Sequence, residues 1–215
     1  MADIRPCRVK AGRPPQQKWY PVAVSQTIKA GDPIGLWYVS SNPTVAKVLT
    51  STQYDDYTSD AGSDGVCGII GFSGYDITTD ASGYCLSTIV PSSVSAAIQP
   101  VTPIPQYSAG VTWDKVDDRP ELGVFIADDD TEFRIRLTTG GSAVTVTEAY
   151  VGTPVGLILS SGVWSADVAA STKCAVITRV FPNDMNYNTS SALCHVAIKI
   201  KPAYQQIKTG LRYGE

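Results

Sequence analysis

The residues that could carry chemistry are few, and their spacing speaks against most of it. The one histidine, His195, directly follows Cys194. Neighbours on a strand point to opposite faces, so these two cannot form a Cys–His dyad with each other. His195 therefore reads as a structural strand residue. Asp128, Asp129, Asp130 and Glu132 are oxygen donors, but their spacing fits no calcium loop, and a solvated hairpin tip is the simpler reading. In Gly71-Phe72-Ser73-Gly74 the second glycine comes one residue too early for a nucleophile elbow, and no helix follows. Gly140-Gly141 lacks the pattern of a phosphate loop. The five cysteines, Cys7, Cys67, Cys85, Cys174 and Cys194, include no Cys-x-x-Cys pair, so zinc and thioredoxin chemistry have no support. No catalytic, metal or cofactor residue is assigned, and the chain is expected not to be an enzyme. Trp19, Trp37, Trp113 and Trp164, with eleven tyrosines, could stack on sugars. Trp37 and Trp164 lie in strand-like runs, where core packing is the plainer reading.

What must position any site is a β body. Only 17% of the 215 residues are charged, below the usual quarter, while Gly, Pro, Ser and Thr are abundant. That composition favours strands and turns over helices. The length suffices to bury a core without disulfides or metals. The opening residues hold no apolar run, and no stretch reaches the length of a membrane span, so neither a signal peptide nor a membrane anchor is expected. An odd cysteine count without a signal peptide also argues against a secreted disulfide framework.

One stretch occurs twice. Ala30-Gly31-Asp32-Pro33-Ile34-Gly35-Leu36-Trp37 is matched by Val151-Gly152-Thr153-Pro154-Val155-Gly156-Leu157-Ile158. Glycine, a polar residue and proline make a tight turn, because proline fixes φ and lacks a donor. The apolar residues that follow start a strand, and Gly35 and Gly156 mark a bulge or a close backbone approach. Turn, strand, hairpin, strand, loop, strand then follows each copy. Duplication of one unit and chance recurrence of a common turn both account for this. Cys67 and Cys174 fall at matching places and read as small core residues.

Charge is uneven. Residues 1 to 18 carry Arg5, Arg8, Lys10, Arg13 and Lys18 against Asp3, and residues 199 to 215 carry Lys199, Lys201, Lys208 and Arg212 against Glu215. With −3 overall, the 180 residues between them hold −10. Basic ends on an acidic body suggest arms that grip an acidic surface, and solvated tails are the bland alternative. The positive charge is terminal, not a patch with interleaved aromatics, so direct nucleic-acid reading is not expected.

In chain order, residues 1–18 read as a basic extended arm, 19–109 as a first β unit, 110–201 as a second packed on the first, and 202–215 as a basic tail. Pro100, Pro103, Pro105 and Gly110 mark the clearest linker, and Ser92 to Ile98 is one candidate helix. Leu122 to Ala127 and Glu132 to Leu137 are expected to pair across Asp128-Asp129-Asp130-Thr131, the second strand alternating so that one face is wet. Val144 to Tyr150 alternates in the same way. Ala192 to Lys201 puts Cys194, Val196, Ile198 and Ile200 on one face. The expected fold is all-β, a sandwich or barrel of β-tulip-like form. One shared barrel and two lobes both fit the order of elements.

The succession Ala30-Gly31-Asp32-Pro33, Val45-Ala46-Lys47-Val48 and Val66-Cys67-Gly68-Ile69-Ile70-Gly71-Phe72 resembles the small β proteins that decorate tailed-bacteriophage heads. Asp130 to Leu137, Val151 to Leu157 and Gly162 to Val168 extend the likeness to longer capsid decoration, or cement, proteins. It covers about residues 19 to 201 and is one of pattern, without a ligand or catalytic motif. The resemblance implies a virion protein on the capsid exterior, assembled in the host cytoplasm. Its partners would be the major capsid protein and neighbouring copies, as a trimer, with no nucleic acid and no membrane. It would clamp capsomers against internal DNA pressure, binding the assembled shell in preference to its parts. Candidate contacts are Arg5, Arg8, Lys10, Arg13, Lys18, Lys208 and Arg212, with Arg5 to Lys18 ordered on a neighbour. Gly31, Asp32, Pro33, Gly35, Gly152, Pro154 and Gly156 would define the turns. A carbohydrate-binding or adhesin-like module of a head or tail fibre is the alternative, favoured by exposed Trp and Tyr in a groove. A β hydrolase would need two carboxylates about 5 to 10 Å apart across a cleft.

Overall fold

The computed structural model describes residues 4–9, 14–23, 25–39, 42–49, 68–79, 85–86, 121–181 and 195–206. Among these the chain is nearly all β. In chain order the strands are β1 (Arg5–Val9), β2 (Gln17–Pro21), β3 (Thr27–Ile28), β4 (Pro33–Val39), β5 (Asn42–Val48), β6 (Gly71–Ser73), β7 (Ile77–Thr79) and β8 (Cys85–Leu86). Then come β9 (Glu121–Ile126), β10 (Thr131–Thr139), β11 (Ser142–Ala143), β12 (Pro154–Ser160), β13 (Val163–Asp167), β14 (Ala175–Val180) and β15 (His195–Ile200). The candidate helix at Ser92 to Ile98, Cys67 and the Pro-rich linker lie outside the described residues.

Two five-stranded units result. In one, β10, β13, β12, β14 and β15 follow in order, and β15 pairs back with β10, which closes a barrel. In the other, β2, β9, β6, β4 and β5 follow in order, and a parallel bridge from Val22 to Ala46 joins the two edges. We call the second set the first barrel, because most of it comes earlier in the chain. β3, β7 and β8 form a small sheet beside it.

The two barrels match residue by residue. Ile34 opposite Gly71 stands where Val155 stands opposite Ala175. Leu36 opposite Ala46 corresponds to Leu157 opposite Ala166. Gly71 opposite Ile126 corresponds to Ala175 opposite Ile200. The closing parallel pair Val22–Ala46 corresponds to Leu137–Ala166. Interior positions are mostly apolar in both copies, although Lys18 opposite Val124 stands where Phe133 stands opposite Ile198, and the buried residues form two clusters.

The repeated sequence motif makes the same turn twice. Asp32 N donates to Lys29 O at 2.9 Å, and Thr153 N donates to Tyr150 O at 3.0 Å. The glycine before each donor has positive φ, +88° at Gly31 and +85° at Gly152. That conformation suits glycine at the third position of a tight turn. Each glycine then donates across the sheet, Gly31 to Ser73 O at 2.7 Å and Gly152 to Ile177 O at 2.8 Å. The inner glycine serves a different purpose. A Cβ at Gly156 would lie 2.1 Å from Thr172 O, so the backbone passes there only because no side chain exists.

Several expectations change. Glu121–Ile126 and Thr131–Thr139 do not pair with each other: β9 completes the first barrel and β10 begins the second. The Asp128 to Asp130 turn is thus the crossover between barrels. Its shape comes from Asp128 Oδ1, which accepts from Asp130 N at 3.0 Å and Thr131 Oγ1 at 2.7 Å. Strand membership also cuts across the boundary drawn at 109/110, since 121–126 belongs with the earlier strands. Val144 to Tyr150 is mostly not a strand. It buries Val146 but has no free edge to pair with, because β13 and β11 flank the end of β10.

The outermost described segments cross between the barrels. β1 precedes the first barrel but pairs with β10 of the second, and Ile4 enters the second core at 2% exposure. The Arg5 to Lys18 stretch, expected to lie on a neighbour, therefore contributes β1 and part of β2 to its own body. Pro202 to Gln206 follows the second barrel but docks on the first. Ile69 N donates to Tyr204 O at 2.8 Å, and Gln206 N donates to Ile69 O at 3.0 Å. The Gln206 side chain then acts like a strand: its Oε1 accepts from Leu36 N and its Nε2 donates to Leu36 O, both at 2.8 Å. Between the barrels, the Phe72 and Phe133 rings meet at 4.5 Å.

These constraints differ in cost. Gly152→Ala, which meets nothing within 4 Å, should lose about 1–2 kcal/mol from φ strain alone. Gly156→Ala should lose about 3 kcal/mol from overpacking against backbone. Gln206→Ala should lose about 2–4 kcal/mol, since it strands two buried backbone groups. Urea unfolding at constant m value measures all three; equal losses for the two glycines would contradict the distinction.

Candidate docking faces

The alternation of β10 sorts its residues. Thr131, Phe133, Ile135 and Leu137 are buried, while Glu132, Arg134 and Arg136 line the outer side. The pleat dictates this, because side chains alternate with period two. β15 sets His195 opposite Arg136 and Ala197 opposite Arg134. A register shift in β14 after Ile177 brings Arg179 opposite Ala197. Arg5 on β1 lies directly across from Arg134 on its other side. Residues directly opposite on paired strands share a face, so arginines from three strands gather with His195 of β15 on one surface of the second barrel.

Their contacts are specific. The guanidinium carbons of Arg134 and Arg179 lie 5.7 and 5.5 Å from the Phe181 ring centroid. Both are within the range of cation–π attraction. Arg179 Nη2 is 3.2 Å from Glu132 Oε2, and Arg134 Nη2 is 3.4 Å from His195 Nδ1. A donor there requires Nδ1 to be the unprotonated ring nitrogen. Cys7 sits at the edge, its Sγ 3.5 Å from Glu132 O. Burial pushes the Cys7 thiol up and Glu132 adds to this, outweighing the pull of Arg179 and Arg134. The arginines therefore do not make it a reactive thiolate.

The corresponding face of the first barrel is aromatic. Trp19 stands opposite Gly123, where Arg134 stands opposite Ala197. Trp19 stacks on Tyr75 with centroids 5.6 Å apart and planes inclined by 23°. The two are 40% and 37% exposed. Gly123 permits this, since a Cβ there would lie 2.8 Å from the Tyr75 ring. Ser73 Oγ holds the Tyr75 backbone, donating to its O at 2.6 Å and accepting from its N at 3.2 Å.

Of the contact residues expected from the sequence, Arg5 joins the cationic face. Arg8 occupies a β1 position opposite Glu132. Lys18 is exposed on β2 of the other barrel. Lys10, Arg13, Lys208 and Arg212 lie outside the described residues. Arg134, Arg136, Arg179 and Phe181 were missed, although arginine at alternate positions of Glu132-Phe133-Arg134-Ile135-Arg136 was a readable signal. Trp164 is buried at 2%, and Cys174 is buried as well. No group of three or more metal-binding side chains occurs among the described residues, and no helix there is long and apolar enough to cross a membrane.

Two carboxylates in the same two barrels titrate in opposite senses. Asp167 is 1% exposed; burial pushes its pKa up, but hydrogen bonds from Gly141, Thr138, Ala169 and Gly140 outweigh it and hold the pKa below the ordinary value. Asp32 is raised: burial leads, and the Lys29 backbone N–H and side chain offset it only in part.

Fold and faces define a two-barrel, all-β protein with one cationic and one aromatic surface at equivalent positions. Compared with protein-family models, curated proteins and solved structures, the chain has no match.

The Asp167 contribution to stability is fully present above the unfolded carboxylate pKa of about 3.9 and is lost as pH falls through its lower folded value. The Asp32 contribution runs the other way, fading as pH rises through its raised value. Asp167→Asn should cost about 2 kcal/mol at pH 7 and flatten the acid limb of the stability–pH curve. Denaturation midpoints from pH 2 to 7 test this; an acid limb unchanged in the variant would refute it.

Proposed function

We propose that this protein is a structural virion protein that docks on the outer surface of an assembled phage head and clamps neighbouring capsomers. The observation that carries the reading is the cationic face of the second barrel, where Arg5, Arg134, Arg136 and Arg179 converge on a chain of net charge −3. Such a face suits an acidic partner surface, and charge complementarity sets approach and register. The resemblance in turn motifs and strands to capsid decoration proteins supplies the class of partner: the major capsid protein, with trimeric contacts among copies. The body suits the task physically. Two barrels joined through a common seam resist deformation, and binding only the assembled shell stabilises that shell by mass action.

Co-sedimentation with purified tailed-phage heads at two salt concentrations tests the proposal. Removing residues 1 to 18 would also remove part of β2, so charge reversal is the sharper probe. Arg5→Glu with Arg179→Glu should weaken binding about tenfold or more, and high salt should weaken the wild type. Lys18→Glu, on the other barrel, should leave binding near wild type. Unchanged binding by the double variant, with its unfolding midpoint intact, would overturn the assignment of the face. No saturable binding to any head tested would overturn the function.

A further inference from the structure

The two barrels carry their exposed functional groups at one shared position, yet the chemistry there differs. Where the second barrel has Arg134 and Arg179, the first has Trp19 and Tyr75. A large aromatic pair left over a third exposed is not needed for burial; the Tyr75 ring sits against Gly123, and Trp19 stacks on Tyr75 with a ring face still open. Exposed aromatic patches of this kind mark ligand surfaces. We infer that Trp19 and Tyr75 form a platform for the apolar face of a pyranose ring, making the first barrel a saccharide-binding site separate from the cationic face.

The neighbours decide the class of ligand. Gln17 lies on the same side of β2 as Trp19, two residues away, and Glu121 lies on the same side of β9 as Gly123. Gln17 Nε2 is buried at the base of the platform and has no hydrogen-bond partner among the described residues. The exposed Glu121 carboxylate beside the rings can accept from hydroxyls at the rim of a sugar while the rings take its C–H face, and Gln17 supports the rings from below. A nucleic acid would also stack, but it needs cations along its backbone. Here the flanking charge is the Glu121 carboxylate, and Lys18 alternates to the other side of β2. The platform therefore suits a neutral saccharide and disfavours a phosphodiester.

Isothermal titration calorimetry of the full chain against maltohexaose, cellohexaose and chitohexaose is the test. At least one should bind in the millimolar range or tighter. Trp19→Ala and Tyr75→Ser should each reduce that affinity tenfold or more, with the unfolding midpoint of the Tyr75 variant unchanged. Gln17→Ala should weaken binding less than either. Arg179→Glu should leave it intact, which separates this result from the head-docking test. Three outcomes would overturn the inference: no heat with any of the three, equal binding by both aromatic variants, or self-association of the wild type that Tyr75→Ser abolishes without any saccharide binding.

Discussion

The side-chain amide of Gln206 pairs with both polar groups of the Leu36 peptide, and the arrangement of the whole chain depends on that pairing. A buried peptide left without partners costs far more than a satisfied one gains. Once the first barrel places Leu36, the chain leaving the second barrel has one favourable place to go. Gly68, at φ +92°, admits the approach, because a Cβ there would stand 2.6 Å from Tyr204 O. At the other end, β1 and Ile4 bind the second barrel. Each barrel is thus held by a segment that belongs, in sequence, to the far side of its partner. The seam between them is apolar and continuous: Leu49, Ile69 and Phe72 of the first barrel pack into the core of the second.

On this frame the repeated unit separates what is fixed from what is free. Most interior positions, the closing bridge and the glycine turn are alike in both copies, because each answers a local constraint of barrel geometry. The outer side of β2 and of β10 answers no such constraint. There, one copy carries arginine and the other tryptophan. A rigid scaffold present twice can carry different surface chemistry on each copy, because the outer side chains do not enter the core.

Much of this was legible in the sequence, for reasons that can be named. The all-β class followed from composition and turn residues. The repeat was visible because Gly, a polar residue, Pro, a β-branched residue, Gly and Leu recur in the same order from Gly31 and from Gly152. The faces of β10 and β15 followed from period two. What escaped was pairing. Leu122 to Ala127 and Glu132 to Leu137 look like a hairpin, since two apolar runs flank a short acidic turn. A turn signal says that the chain changes direction, however, and not which sheet it enters next. The cationic face escaped for the same reason. Arg5, Arg134 and Arg179 are far apart in sequence and meet only through strand order and a bulge. Trp19, assigned to no site, became an exposed platform because the residue opposite it is glycine.

The crossing of these segments also bears on how the chain acquires its fold. Synthesis delivers β1 well before its partner β10, which begins only at Thr131, so β1 must wait while more than a hundred further residues are made. The first barrel can gather its five strands once Ile126 is available, yet Gln206 follows only about 80 residues later. Non-local pairings of this kind slow folding, because the entropy of closing long loops is lost before the contacts form. The Gln206 pairing is therefore among the last to form, and until it does the Leu36 peptide lacks the partners it has in the folded chain.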